Sequence, residues 1–320
     1  MALDNKDLDH GITRIDCHYI RPGLAGSYLV VEQDRAILIE TGPQLAVPRI
    51  LEALARKKIP LEAVEAVMVT HVHLDHAGGA GLLLEKCPNA KLYVHPKGVK
   101  HMIDPSKLLA SAKQVYGEER FASLLGGLTP VPAHRTVTPA DGDRFLLGHR
   151  ELIFFHTPGH AYHHLVIWDR QSRGIFSGDA LGISYRELDS PGGRFLFPAT
   201  TPVQFDPKAS LASIDRLIAL KPDWLHLTHF DSIPFELTLM DDLKRQLEDY
   251  SELAWNIFAD NLPDKRGRIL EGIQTISRER LEALVCPLTF QESSRVLAMD
   301  WEVNVQGLHN WMDRVESELN

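Results

Sequence analysis

Cysteine is scarce in this 320-residue chain. Cys17, Cys87 and Cys286 are odd in number and far apart, which excludes a disulfide framework and a paired-cysteine metal site. A reducing compartment is expected. Basic charge is also in deficit, with 34 Lys and Arg against 43 Asp and Glu and a formal net charge of -9. That balance argues against nucleic acid or an anionic membrane as a broad-face partner. No apolar run approaches the ~18 residues that a spanning helix needs. The start, "MALDNKDLDH", lacks the basic and apolar stretches of a signal peptide. The expected location is cytoplasmic. Gly-rich phosphate loops are missing too, and "GLAGS" near residue 23 lacks the strand–Ser–helix setting of a nucleophile elbow.

What is present is an ordinary globular composition, 44% hydrophobic and 24% charged, in a chain long enough for a large core. Up to about residue 235, short β-rich runs alternate with helical patterns. "SYLVVEQDRAILIETG" reads as two strands around a polar turn, and "QLAVPRILEALARKK" as the helix after them. "AVEAVMVTH" and "KLYVHP" read as strands, with a helix from "AGGAGLLLEKC" between them. Residues 103–130 look like an insertion of two short helices. "RFLLGHRELIFFHTPGH" and "HHLVIWDRQSRGIFSGDA" read as hairpins, "SLASIDRLIAL" as a helix and "DWLHLTH" as a strand. This mixture predicts an α/β layered fold. Beyond residue 235 the pattern is helical. Leu239, Leu243, Leu247, Tyr250, Ala254 and Ile257 recur at spacings of three and four, as do Val305, Leu308, Met312, Val315 and Leu319. The expected division is 1–235 for the α/β domain and 236–320 for a helical C-terminal region. The apolar faces of that region suit either its own core or a homodimer.

Chemistry concentrates in "THVHLDHAGG", Thr70 to Gly79. In extended backbone His71, His73 and Asp75 would share a face, with His76 at the turn into a helix. Such a loop offers two ligand pairs, and each pair needs further ligands to complete a metal shell. Strand ends elsewhere offer them: His160 in "TPGH", Asp179 in "SGDA" and His229 in "LTHF".

This ordered set resembles the metallo-β-lactamase-fold metallohydrolases over residues 12–235. The resemblance implies a four-layer αββα sandwich with the metals at one edge of its two sheets. It implies two divalent ions, zinc first, with iron or manganese as alternatives that imidazole also suits. It assigns His71, His73 and His160 to one ion and Asp75, His76 and His229 to the other, with Asp179 bridging. The expected reaction is hydrolysis of a carboxylic thioester, ester or lactone by a metal-bridging hydroxide, with Asp75 orienting the nucleophile or carrying its proton. The metal motif is similar to that of hydroxyacylglutathione hydrolases, whose helical C-terminal region helps bind the thiol portion. The partner is then a small-molecule substrate. One departure stands out: the family mostly has Asp before "TG" in an early strand, and this chain has Glu40, placed to support the metal loop.

Three alternatives share the scaffold: a diiron oxygen-binding or redox protein, a phosphodiesterase, and a non-catalytic sensor, the last disfavoured by an intact ligand set. The diiron branch commonly has Glu at the motif's second histidine, where this chain has His73. The remaining candidates read mostly as structural. His95, His101, His134, His149 and His309 are expected at the surface or in loops, and His156 and His226 in strand packing. Strand alternation would turn only one of His163 and His164 to the site. Tyr162 and Tyr185 either orient substrate or simply pack, and Cys87 and Cys286 read as core. Residues 103–130 and 183–207 form either a lid or plain connections. Phe195, Phe197 and Phe205 in the second hint at an acyl or aromatic group in the substrate.

Overall fold

The computed structural model describes residues 5–200 and 203–319. The first four residues of the polar start, Thr201 and Pro202 of the 183–207 stretch, and the side chain of Leu319 lie outside the described residues. Two compact units interleave along the chain. The first comprises Met1–His156, His163–Gly178 and Pro222–Pro234, and the second Thr157–Tyr162, Asp179–Lys221 and Phe235–Asn320. The last crossing falls at residue 235.

The first unit contains both sheets. One runs in sequence order through β1 (Lys6–Asp7), β2 (Ile12–Asp16), β3 (Gly26–Glu32), β4 (Arg35–Ile39), β5 (Val64–Met68), β6 (Lys91–Tyr93) and β7 (Thr136–Val137). It is antiparallel as far as β4 and parallel beyond. Parallel pairs need crossovers. These contain α1 (Val47–Arg56), α2 (Leu74–Ala77), α3 (Ala80–Lys86), α4 (Val99–Ile103), α5 (Ser106–Tyr116) and α6 (Glu118–Leu125). The second sheet joins β8 (Arg144–Leu147), β9 (Arg150–His156), β10 (Leu165–Asp169), β11 (Gly174–Gly178), β12 (Trp224–Leu227) and β13 (Ser232–Pro234) in reverse order.

Side-chain alternation explains how these layers stack. Leu29 and Leu38 point outward into a core with Val47, Ile50 and Leu54 of α1. Tyr28, Val30, Ile37 and Ile39, their strand neighbours, point inward and meet Leu152, Phe154, Ile167 and Phe176 of the other sheet. Both faces of β3 and β4 are therefore apolar, which is why they read as continuous runs. Each such side chain contributes roughly 1.5–3 kcal/mol on burial. α1 presents Val47, Ile50, Ala53 and Leu54 at helical spacing, with a proline in its first turn where no amide partner is lost. The Tyr28 hydroxyl donates to the Leu227 carbonyl at 2.6 Å and ties one sheet to the other.

The second unit is helical: α7 (Pro207–Ile218), α8 (Leu237–Ala259), α9 (Lys265–Ala283) and α10 (Phe290–Leu319). Asp206 caps α7 by accepting from the Ala209 amide at 2.9 Å. The stripe of α8, with Leu243, Leu247, Tyr250, Ala254 and Ile257, is buried. Phe195, Phe197 and Phe205 are almost fully buried as well. That corrects the hint drawn from them, because phenylalanines with no exposed surface are core and say nothing of a substrate's acyl group. The class is the expected α/β fold with a helical C-terminal region.

One buried histidine ties the fold to pH. His226 on β12 stacks on Phe176 at 4.5 Å, and its Nδ1 lies 2.9 Å from the Ser232 hydroxyl. Its Nε2 has no hydrogen-bond partner among the described residues. Burial pulls its pKa from 6.5 down to about 4; Asp169 pulls it back only partly. The unfolded chain therefore takes up the proton first, and stability is lost as pH falls from 6.5 towards 4. The loss from this site is expected to reach about 3 kcal/mol. Denaturant unfolding of the wild type and of His226→Phe, which keeps the stack and cannot titrate, checks it. The stability difference between the two should change by that amount over this pH range; parallel curves would contradict it.

Candidate metal centre

The Thr70–Gly79 motif follows β5, which ends at Met68, and enters α2 at Leu74. Asp75 therefore sits in the first turn of a short helix and not in extended backbone, which corrects the strict alternation expected through Asp75. Gathering of the donors is achieved by a helix turn instead. His76 Nε2 lies 3.2 Å from His229 Nε2, and Asp75 Oδ2 lies 3.4 Å from His229 Nε2 and 3.9 Å from His76 Nε2. These three donor atoms all fall within 4.8 Å of one another. His71 and His73 stand beside them in the same unit, with His71 Nε2 2.7 Å from His73 Nδ1 and the His71 ring 4.0 Å from that of His76.

The backs of these rings are held by groups that identify the tautomers. His229 Nδ1 is 2.7 Å from the Leu24 carbonyl, which can only accept, so Nδ1 carries the proton. His76 Nδ1 is 3.3 Å from Glu40 Oε1 and likewise donates. Both Nε2 atoms then turn lone pairs towards each other and towards a carboxylate. Lone pairs facing one another repel, and a cation between them removes the repulsion. The residues present fit a divalent metal.

Glu40 does more than face His76. Its Oε1 accepts from the Thr70 hydroxyl and, at 3.3 Å, from the Thr70 amide, with the Thr228 hydroxyl 3.5 Å away. Thr41 follows it, accepting at its hydroxyl from the Gly79 amide at 3.0 Å and donating from that hydroxyl to the His76 carbonyl at 2.8 Å. The "ETG" segment thus holds the ring and the backbone of His76 together. Leu24 is placed by Asp16, whose carboxylate accepts from the His18 amide at 2.9 Å and the Gly23 amide at 2.8 Å and so closes the loop. Gly178, at φ 50°, precedes Asp179 where the β11 register shifts against β12. A Cβ there would overlap the Thr70 hydroxyl and the His164 ring.

In the second unit His160 and Asp179 come together, with Nε2 3.4 Å from Oδ2. His160 Nδ1 is 3.0 Å from the Ala199 carbonyl, so this ring too presents an Nε2 lone pair. The pair lines a cavity of about 10 Å³, roomy enough for about one water, walled also by Pro158, Ala199 and Leu243.

Other candidates fall elsewhere. His163 and His164 both lie against His71, at 6.1 and 5.0 Å between ring centres. Alternation fails there because β10 begins only at Leu165. His95 lies in the loop after β6, buried there with its ring centre 4.2 Å from that of His156; burial, then His156, lowers its pKa to about 4. Tyr185 is buried and donates to Asp300 at 3.1 Å, a packing role, whereas Tyr162 is exposed. Burial pushes the Cys87 thiol up to about 11, so it is a core residue and no nucleophile. Thr70, Leu24 and Thr228 escaped sequence reasoning. Thr70 lay within the motif and was legible, while a backbone carbonyl such as that of Leu24 leaves no mark in sequence.

Comparison with known proteins places this arrangement. The Metallo-beta-lactamase superfamily profile matches residues 20–229. The metallo-beta-lactamase fold-containing protein ST1585 of Sulfurisphaera tokodaii is 25% identical over 240 residues, 74% of this chain and 83% of that protein. Its crystal structure, described as archaeal and from Sulfolobus tokodaii, superposes with a TM-score of 0.61 at 24% identity, covering 75% of this chain and 86% of that one. A hydroxyacylglutathione hydrolase of Aeromonas hydrophila is 29% identical over 198 residues, 62% of this chain but only 58% of the enzyme. The match over residues 20–229 spans well over half of the chain and ends on His229, and on that ground the chain belongs to the metallo-beta-lactamase superfamily.

Proposed function

We propose that this protein is a dinuclear metal-dependent hydrolase that cleaves a carboxylic thioester, ester or lactone of a small molecule. The observation that carries it is the convergence of His76 Nε2, His229 Nε2 and Asp75 Oδ2, each ring fixed from behind by Glu40 or the Leu24 carbonyl. In this reading Asp75, His76 and His229 would hold one ion and His71, His73 and His160 the other, with Asp179 as the carboxylate that would serve both. Zinc is the proposed metal. When bound, such a pair supplies Lewis acidity and brings the pKa of a water from ~15.7 towards ~7.

The chain's own groups do the rest. Glu40 and the carbonyls of Leu24 and Ala199 keep the three rear nitrogens protonated, so that Nε2 stays a donor of electrons. Asp75 has a second carboxylate oxygen that can orient the nucleophile and take its proton to the leaving group. The thioester class is favoured over others by the similarity to a hydroxyacylglutathione hydrolase. No helix among the described residues is long and apolar enough to cross a membrane. All three cysteines are unpaired, which supports a reducing cytoplasm as the proposed location. The division into a metal domain at 1–235 and a helical region at 236–320 is proposed on the change to helical periodicity past residue 235.

A panel of a thioester, a lactone, an aryl ester and a phosphodiester, offered to metal-analysed protein, tests the reading. Turnover of one carbonyl substrate is expected, and cleavage of the phosphodiester alone would overturn it. His73→Ala should remove one ion and abolish turnover. Asp179→Asn should weaken both ions together; loss of a single ion would exclude the bridge. Glu40→Gln removes the charge behind His76 and should weaken the ion of Asp75, His76 and His229 by about 10–100-fold. Chelator competition followed by elemental analysis measures it, and unchanged affinity would refute Glu40 as a support.

A further inference from the structure

Among the described residues of the second unit, the stretch after Asp179 pairs only through two isolated bridges, Ser190–Gly193 and Ile183–Phe197. Besides these bridges, helical side chains hold the backbone. Gln246 of α8 donates to the Leu196 carbonyl at 2.7 Å. Asn304 of α10 donates through Nδ2 to the Pro198 carbonyl at 3.0 Å, and its Oδ1 accepts from the Thr200 amide at 2.7 Å. The Thr200 hydroxyl lies 3.0 Å from both Oδ1 and the Asn304 carbonyl. Asn304 is only 2% exposed and Thr200 fully buried, so solvent cannot replace these bonds.

The clamped residue between them is Ala199, and its carbonyl is the acceptor for His160 Nδ1 at 3.0 Å. The Ala199 carbonyl and the Thr200 amide belong to one planar peptide group, pointing in opposite directions. His160 Nδ1–H, that peptide and Asn304 Oδ1 therefore form one hydrogen-bond relay. Its members polarise one another. Turning the peptide would swing the carbonyl away from the ring; Asn304 holds both of its neighbours against that turn.

We infer that Asn304 is a positioning residue for His160: it fixes the peptide that sets the direction and tautomer of that imidazole, and so the affinity of the ion His160 binds. The inference rests on the proposed role of His160 as a ligand. It gives the helical region a duty toward the metal centre that a simple substrate wall does not have.

The test compares zinc affinity, by chelator competition, and the visible spectrum of the cobalt-substituted protein across full-length variants. Asn304→Leu keeps volume and removes the clamp. It should weaken one of the two ions by about 10–100-fold and shift the cobalt bands, while the other ion keeps its affinity. Gln246→Met removes a buried bond to the same stretch without touching the 199–200 peptide, and should leave both ions unchanged. Wild-type affinity for both ions in Asn304→Leu, or an equal loss in Gln246→Met, would overturn the inference. Should Asn304→Leu not fold, Asn304→Ser, too short to reach the Thr200 amide, is read by the same criteria. His160→Ala separates the two levels: if it retains both ions at wild-type affinity, the ligand reading fails; if it loses one and Asn304→Leu loses none, only the inference fails.

Discussion

The buried carboxylate of Glu40 is the interaction on which the metal loop depends. It lies just past the end of β4, almost without solvent, at a left-handed φ of 62°. That backbone costs of order 1–3 kcal/mol for a residue with a side chain. The cost is offset where one oxygen collects Thr70 and Thr228, just past β5 and β12 of the two sheets, and His76 of α2. Charge-assisted bonds in a water-free interior are strong, and an acceptor left alone there would be costly. Stacking the two sheets and shaping the motif are thus one event. The longer reach of Glu compared with the family's usual Asp is compatible with serving all of these groups at once.

Much of this was legible in the sequence, for physical reasons. The pairs β3–β4, β8–β9 and β10–β11 carry apolar runs bounded by polar turns, and α1 and α8 carry wide apolar stripes. The ligand candidates were legible because histidines at strand ends are hard to explain as packing. What escaped was written less plainly. β2 is fully buried, yet its Arg14 and Asp16 interrupt the apolar pattern; Arg14 stacks over Phe230 at 4.3 Å and Asp16 caps a loop. α9 buries only Ile269, Ile273, Ser277 and Leu281, a stripe one residue wide among charges. The edge strands β1 and β7 have two residues each, too few for any period to show.

Alternation was extended beyond the strands that justify it, to Asp75 in a helix turn and to His163 and His164 before β10 begins. Active-site loops lie where the regular element stops, so periodicity fails just where the chemistry starts. The three phenylalanines of the 183–207 stretch failed differently: Phe195 stacks on Phe197 and Phe205 meets Trp311 of α10 edge-on, so they pack and face no solvent. Composition alone does not distinguish that from a substrate wall.

The rear partners of the imidazoles differ in kind, and the difference has consequences. His76 leans on a carboxylate, whereas His229 and His160 lean on backbone carbonyls. A full negative charge behind a ring makes its other nitrogen a stronger donor than a carbonyl dipole does. A carbonyl, in turn, is only as well aimed as its peptide. Leu24 lies in a loop closed by Asp16, and Ala199 in a stretch held by Asn304. Where the partner is a side chain, evolution can tune it by one substitution. Where it is a backbone carbonyl, tuning must act on whatever holds the backbone, which can lie more than a hundred residues away in sequence, as Asn304 does from Ala199. Residues of that kind carry no motif, and only the folded chain discloses them.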